Sequence, residues 1–233
     1  LPSPPSSESL PAIPNSESPP RPPEIESSPS KPACVSSSLP RATEPLSNYF
    51  QQPYFYWPQC CDLDTVTRIQ QVGEALETSD ASVGDAENSG LHEDMRVSKV
   101  SWIFQQENTQ FIYDTMIDRV DRINYYHYGM DLKAMDILQY TKYPEGGHYT
   151  FHNDVFHHQG MMRKLSLVLA LTPASDYDGG EFLVMPHGTN PKEFKFEQGD
   201  LIAFPSYVPH KVQPVTRGTR TTLVGWIYGP TFV

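Results

Sequence analysis

Residues 194–228 read FKFEQGDLIAFPSYVPHKVQPVTRGTRTTLVGWIY. They alternate between short apolar runs and turns. Phe194–Phe196, Leu201–Phe204, His210–Val215 and Thr219–Tyr228 are rich in aromatic and β-branched residues, and EQGD and TRGT between them carry the Gly and Asp that turns favour. Upstream the same texture reaches back to Met135. It gives candidate strands Asp136–Tyr143, His148–Asp154, Lys164–Leu171 and Glu181–Met185, with turn signals PEGG, SDYDGG and PHGTN. His187, inside PHGTN, reads as a turn residue. About eight strands at short spacing predict a mainly β sandwich or jelly roll, not a parallel α/β sheet. The narrow mouth of a jelly roll gathers side chains from strands far apart in sequence.

Before Met135 the pattern changes. Ile112, Met116, Ile117, Val120 and Ile123 recur at three- and four-residue steps, which predicts a helix over Phe111 to Tyr125 stopped by Gly129. Asp62 is a candidate N-cap for a second helix, Leu63 to Leu76. Arg96 to Phe104 alternates like a strand, Thr78 to Glu93 reads as a loop, and residues 49–58 (YFQQPYFYWP) read as an edge strand or a segment laid across the core. These pieces are expected to form helical support over residues 47–130 for a jelly-roll core over 131–233.

Residues 1–46 are dominated by Pro, Ser and Glu, a composition that cannot bury enough apolar surface to offset ordering entropy. They are expected to be a disordered tail or tether. The chain starts at Leu1 and not at Met, so it reads as a fragment or a processed product. The net charge of −11 disfavours nucleic acid or anionic lipid as the main partner. Cys34, Cys60 and Cys61 make an odd count with two adjacent, which is no disulfide framework. Cys60 and Cys61 read as part of the N-terminal packing. A reducing compartment, the cytoplasm, is expected. There is no signal-peptide pattern and no apolar run of about 20 residues.

His152-Asn153-Asp154 lies on a strand-like run, where residues two apart share a face, so an imidazole and a carboxylate can converge. An H-x-D alone is weak. His210 opens a later strand, and two His with one carboxylate on one side of a metal is the arrangement that suits iron(II) and oxygen chemistry. Arg220 follows ten residues later on the next predicted strand. Its guanidinium keeps its charge when buried and pairs with carboxylates, so it points to a dicarboxylate ligand beside the metal. His157 and His158 are expected in the loop after the H-x-D strand, pointing to opposite faces.

The ordered motifs carry a resemblance. Tyr143-Pro-Glu-Gly-Gly-His-Tyr-Thr-Phe-His152-Asn-Asp154, Arg163-Lys-Leu-Ser166, Tyr177-Asp-Gly-Gly-Glu181-Phe, Gly199-Asp-Leu-Ile-Ala-Phe204-Pro-Ser, His210 through Arg220 and then Trp226 resemble prolyl 4-hydroxylase-like 2-oxoglutarate/iron(II) oxygenases of the PKHD type. The match covers about residues 94–230. It implies a double-stranded β-helix core. It also implies iron(II) on His152, Asp154 and His210, with 2-oxoglutarate on Arg220 and Tyr143. Trp226 and Leu167 would line the cosubstrate pocket, and Arg163 would face the substrate. Some relatives have a second tyrosine on the strand holding Ala170. Here Leu169, Ala170 and Leu171 offer no hydroxyl, and Ser166 is the candidate to hydrogen-bond the cosubstrate. Related halogenating enzymes lack the carboxylate, so Asp154 favours hydroxylation.

The expected activity is therefore a dioxygenase reaction that uses O2 and releases succinate and carbon dioxide, with ascorbate as an accessory reductant. The expected substrate is a prolyl or other side chain of a protein or peptide. The same chemistry on a free amino acid, small metabolite or nucleobase is the alternative, and a non-catalytic jelly-roll binding module the third reading. The sequence leaves the oligomeric state open.

Overall fold

Alternation along the longest strands decides where the core lies. The computed structural model describes residues 53–81, 92, 94–186, 188 and 190–231, all within the unit spanning 44–233. The tail expected over 1–46 with Cys34, most of the loop expected over 78–93, and His187 lie outside the described residues. On the strand Met161–Ala170, Leu165, Leu167 and Leu169 pack into one apolar cluster, and Val168 and Ala170 into another. Successive side chains of a strand point to opposite faces, so this sheet is buried on both sides. Helices cover one face and a second sheet the other.

The larger sheet runs in the order Phe55–Trp57, Leu201–Pro205, Met161–Ala170, Arg220–Pro230, Leu138–Tyr143, Lys99–Ile103 and Ser79–Asp80; Ala134–Met135 pairs with Arg220–Pro230, and His157–His158 with Met161–Ala170. The smaller sheet runs Lys192–Phe194, Phe182–Val184, His210–Val212, His148–His152 and Arg96–Val97. A separate ribbon pairs Tyr177–Gly179 with Val215–Gly218. The paired strands are antiparallel, and the two facing sheets make the jelly roll expected from the strand spacing.

Two helices back the larger sheet. The first, α1 (Leu63–Glu74), starts where the Asp62 side chain accepts from the Thr65 backbone N–H at 2.7 Å, which satisfies one of the free donors of the first turn. It buries Val66, Ile69 and Gly73. Gly73 is required by close approach: a Cβ there would lie 2.4 Å from the Tyr140 ring. The second, α2 (Gln110–Ile123), buries Ile112, Tyr113, Met116, Val120 and Ile123. Ile117, expected on the buried face, is exposed, and Tyr113 takes its place by donating its hydroxyl to the Ile103 carbonyl at 2.8 Å. A wider turn over Asn124–Tyr128 then ends at Gly129, whose φ of +61° suits glycine.

Several expected boundaries shift. Arg96 to Phe104 is two strands, with Arg96–Val97 in the smaller sheet and Lys99–Ile103 in the larger. His148–Asp154 ends as a strand at His152. His210–Val215 breaks at Gln213 and Pro214, since Pro lacks the N–H a ladder needs. Phe194–Phe196 moves back to Lys192–Phe194. His157 and His158 form a two-residue exposed strand, not a loop. Phe55–Trp57 does form an edge strand. Cys60 and Cys61 are buried free thiols in the helix-side cluster. Among the described residues no helix is long and apolar enough to cross a membrane.

Candidate metal centre

Strand register brings the two imidazoles together. His152 is the direct antiparallel partner of His210, and directly opposed residues put their side chains on the same face. Each Nδ1 sits beside a backbone carbonyl, His152 at 2.8 Å from Thr150 O and His210 at 3.0 Å from Val208 O. With Nδ1–H donated, both Nε2 lone pairs point into the site.

Asp154 lies two residues beyond its strand and is held by the chain itself, its N–H donating to the Ser206 carbonyl at 2.8 Å. Its Oδ1 is 3.7 Å from His152 Nε2 and its Oδ2 is 3.5 Å from His210 Nε2. The three ligand atoms lie within 4.8 Å of one another, a spacing one metal ion can bridge. Two imidazoles and one carboxylate on one side of a point leave the opposite positions free. Burial, together with the neighbouring His210, pushes the His152 pKa down to about 3, so this ligand is neutral at physiological pH. Burial opposes ionisation of Asp154, but His210 and His152, with Trp226 and Ser166, outweigh it and hold its pKa below the ordinary value.

The ligands open into a cavity of about 440 Å³. Arg220 lines it and is 2% exposed. Its register partner is Tyr143, whose ring lies 5.5 Å from Cζ. Burial lowers the Arg220 pKa, opposed by the neighbouring Tyr143 and Tyr177, yet guanidinium starts so high that it stays charged. Its Nη2 is buried with no hydrogen-bond partner among the described residues, although a buried cationic donor is costly to leave unpaired.

The other expected residues fall as follows. Trp226 and Arg163 line the cavity. Arg163 stacks 4.0 Å above the Trp226 ring and pairs with Asp136 at 2.7 Å. Ser166 is fully buried and is not part of the cavity wall; its hydroxyl donates to Asp154 Oδ2 at 2.7 Å and lies 2.9 Å from Ser206 Oγ. The Trp226 indole N–H is turned towards the same carboxylate without meeting hydrogen-bond geometry. Leu167 packs among the helix-side residues, and its neighbour Val168 lines the cavity instead, as strand parity dictates.

Sequence reasoning missed part of the wall. Tyr149 stacks on the His152 imidazole at 3.5 Å, and the Arg96 guanidinium lies 4.6 Å from the Tyr149 ring. Trp102 closes the same wall. No local signal marks these residues, because pairing of Arg96 with Tyr149 is a long-range register.

A jelly roll that sets two His and one Asp around a point, with a buried Arg beside it whose Nη2 has no partner among the described residues, presents the ligand set that suits mononuclear iron and oxygen chemistry. The model of the 2OG-Fe(II) oxygenase superfamily matches residues 138–228. A PKHD-type hydroxylase from Idiomarina loihiensis is 31% identical over 48% of this chain and 51% of its own length. Another from Gloeothece citriformis is 26% identical over 74% of this chain and 77% of its own. The chain spans about half the length, or less, of several curated relatives it matches. A prolyl-4-hydroxylase of Pseudomonas putida has the same fold, with a TM-score of 0.64 at 23% identity over 80% of this chain and 97% of that one. So does a Trichoplax adhaerens prolyl hydroxylase solved with a hypoxia inducible factor peptide fragment, with a TM-score of 0.62 at 18% identity over 79% and 87%.

Proposed function

We propose that the chain is a 2-oxoglutarate- and iron(II)-dependent dioxygenase that hydroxylates a prolyl or other side chain of a protein or peptide. The observation that carries this reading is the buried, unpartnered Arg220 N–H group beside a complete His-Asp-His set. A bare metal-binding module has no use for a charged, desolvated anchor there. A dicarboxylate long enough to reach from the metal to Arg220 uses both features. Iron(II) and 2-oxoglutarate together supply oxidative decarboxylation, with release of succinate and carbon dioxide and insertion of one atom of O2 into a substrate C–H bond.

The chain's own residues do the rest. His152 and His210 present neutral Nε2 atoms, fixed by their backbone hydrogen bonds. Asp154 presents a carboxylate oriented by Ser166. Arg220, with Tyr143 beside it, would fix the far carboxylate of the cosubstrate. The aromatic wall of Tyr149, Phe182 and Trp226 limits water at the reacting position.

Ascorbate is proposed as the accessory reductant. The division into a tail over 1–46 and an oxygenase domain over 47–233 also stands as a proposal. So does a cytoplasmic setting, which the free thiols Cys60 and Cys61 favour. The peptide substrate draws support from the solved prolyl hydroxylase that shares the fold and carries a bound peptide fragment. An anaerobic optical titration tests the reading. Iron(II) and 2-oxoglutarate added to the wild type should give the metal-to-cosubstrate charge-transfer absorption, and Arg220→Ala should need far more 2-oxoglutarate to reach it. No band with the wild type sinks the proposal.

A further inference from the structure

Among the described residues, charge pairing around the cavity leaves one cation over. The wall carries Arg96, Arg163 and Arg220. Arg163 is matched by Asp136. On the oxygenase reading, Arg220 is matched by the cosubstrate's far carboxylate, and the metal's two charges by Asp154 and the cosubstrate's near carboxylate. Arg96 has no carboxylate partner among the described residues. It donates from Nε to Ser98 Oγ at 2.8 Å and from Nη2 to Gln139 Oε1 at 3.1 Å, and its guanidinium lies against the Tyr149 ring. Of the five N–H donors of a guanidinium, these neutral partners leave some unused. Arg96 is also close to the metal site, since the Tyr149 ring it lies against stacks on the His152 imidazole at 3.5 Å.

This is a pre-set cation. Ser98, Gln139 and the Tyr149 ring fix its plane, so little side-chain freedom is lost when it takes a ligand. It stands in the wall that includes Trp102, in a protein whose total charge is −11. An acidic chain repels anionic ligands overall, so a locally uncompensated Arg selects for an anion placed beside it.

We propose that Arg96 recognises the substrate by accepting a carboxylate that the substrate peptide carries close to the side chain to be hydroxylated. The proposal rests on the oxygenase reading and deepens it: the substrate is an acidic peptide segment, and Arg96 determines that specificity.

The test is calorimetric binding to protein loaded with manganese(II) and 2-oxoglutarate, which cannot turn over. The probes are an N-acetylated, C-amidated pentapeptide with proline at its centre and glutamate elsewhere, its glutamine counterpart, and the glutamine peptide with a free C-terminal carboxylate. The wild type should bind the glutamate peptide at least tenfold tighter than the amidated glutamine one. Arg96→Gln should bring that ratio within twofold, and Arg96→Lys, which keeps the charge, should retain a preference. A merely structural role for Arg96 would weaken both peptides alike. A gain confined to the free C-terminal carboxylate, and lost in Arg96→Gln, would support the proposal with a terminal carboxylate as the group recognised. Equal binding of all three peptides to the wild type overturns it. So does absence of binding, or a preference that survives in Arg96→Gln. Binding of 2-oxoglutarate alone to the manganese protein is measured alongside, and the peptides are repeated without it. Failure of the cosubstrate to bind would count against the oxygenase reading, while the Arg96 preference would still be read.

Discussion

Asp154 is held at two atoms, its backbone N–H by the Ser206 carbonyl and Oδ2 by the Ser166 hydroxyl, and Ser166 is in turn held by Ser206 Oγ. Partners that orient a metal-binding carboxylate commonly matter about 10–100-fold in affinity. Ser166→Ala is therefore expected to weaken manganese(II) binding about tenfold in a calorimetric titration; an unchanged affinity would remove Ser166 from the site. His152 gives a pH prediction. Its folded pKa, about 3, is below the ordinary value near 6.5 of the unfolded chain. The unfolded state then takes up a proton that the folded state refuses, so stability is intact above about pH 6.5 and is lost as pH falls towards 3. Urea midpoints of the metal-free protein should fall across that window, and less steeply in His152→Gln. At this scale the candidate ligands and Arg220 stood out because their residue types are rare and fall in a fixed order, and the structure brings the three candidate ligands together. Ser166 was expected to hydrogen-bond the cosubstrate; its hydroxyl faces Asp154 instead, and nothing local says which of two polar groups a buried hydroxyl faces. Arg96 was silent, since its place depends on pairing with the distant Tyr149.

The elements that carry these residues were read mostly from periodicity, and periodicity explains both successes and misses. The Asp62 cap, α1 and α2 follow from local rules. Asp62→Ala should lower unfolding free energy by about 1 kcal/mol, the usual worth of an N-cap, while metal affinity stays unchanged. A loss of metal affinity would show that α1 does more than support the sheet. The strand over residues 96–104 looked single because alternation continues through it; only pairing reveals that Arg96–Val97 and Lys99–Ile103 belong to different sheets. The turn before Arg220 is a second test. Gly218 has φ +77°, and a Cβ there would sit 2.2 Å from the Asp176 carbonyl. Gly218→Ala must shift the backbone that delivers Arg220, with strain of roughly 1–3 kcal/mol. It is expected to weaken 2-oxoglutarate binding more than manganese(II) binding, read by parallel titrations. Equal loss of both would mean that the turn supports the fold as a whole.

Across the whole molecule, the two sheets face each other with the ligands at one mouth, and helices seal the far side of the larger sheet. The class of this architecture was legible from strand spacing and turn chemistry. The split of the strands between two sheets was not, because it is set by contacts far apart in the chain. The candidate metal ligands His152, Asp154 and His210 come from two paired strands and the segment after one of them, so an ion held by all three binds only the folded state. A metal held only by the folded state adds about 2.7 kcal/mol of stability at a hundredfold excess over Kd. Manganese(II) should accordingly raise the thermal midpoint, and a chelator should reverse the rise. The central claim is that Arg220 and the His-Asp-His set form one working site for iron and 2-oxoglutarate. It is tested most directly by release of labelled carbon dioxide from 1-labelled 2-oxoglutarate in the presence of iron(II) and O2. The account predicts release by the wild type well above Arg220→Ala and His210→Ala. Release that is the same in all three proteins, or absent from the wild type, would contradict it.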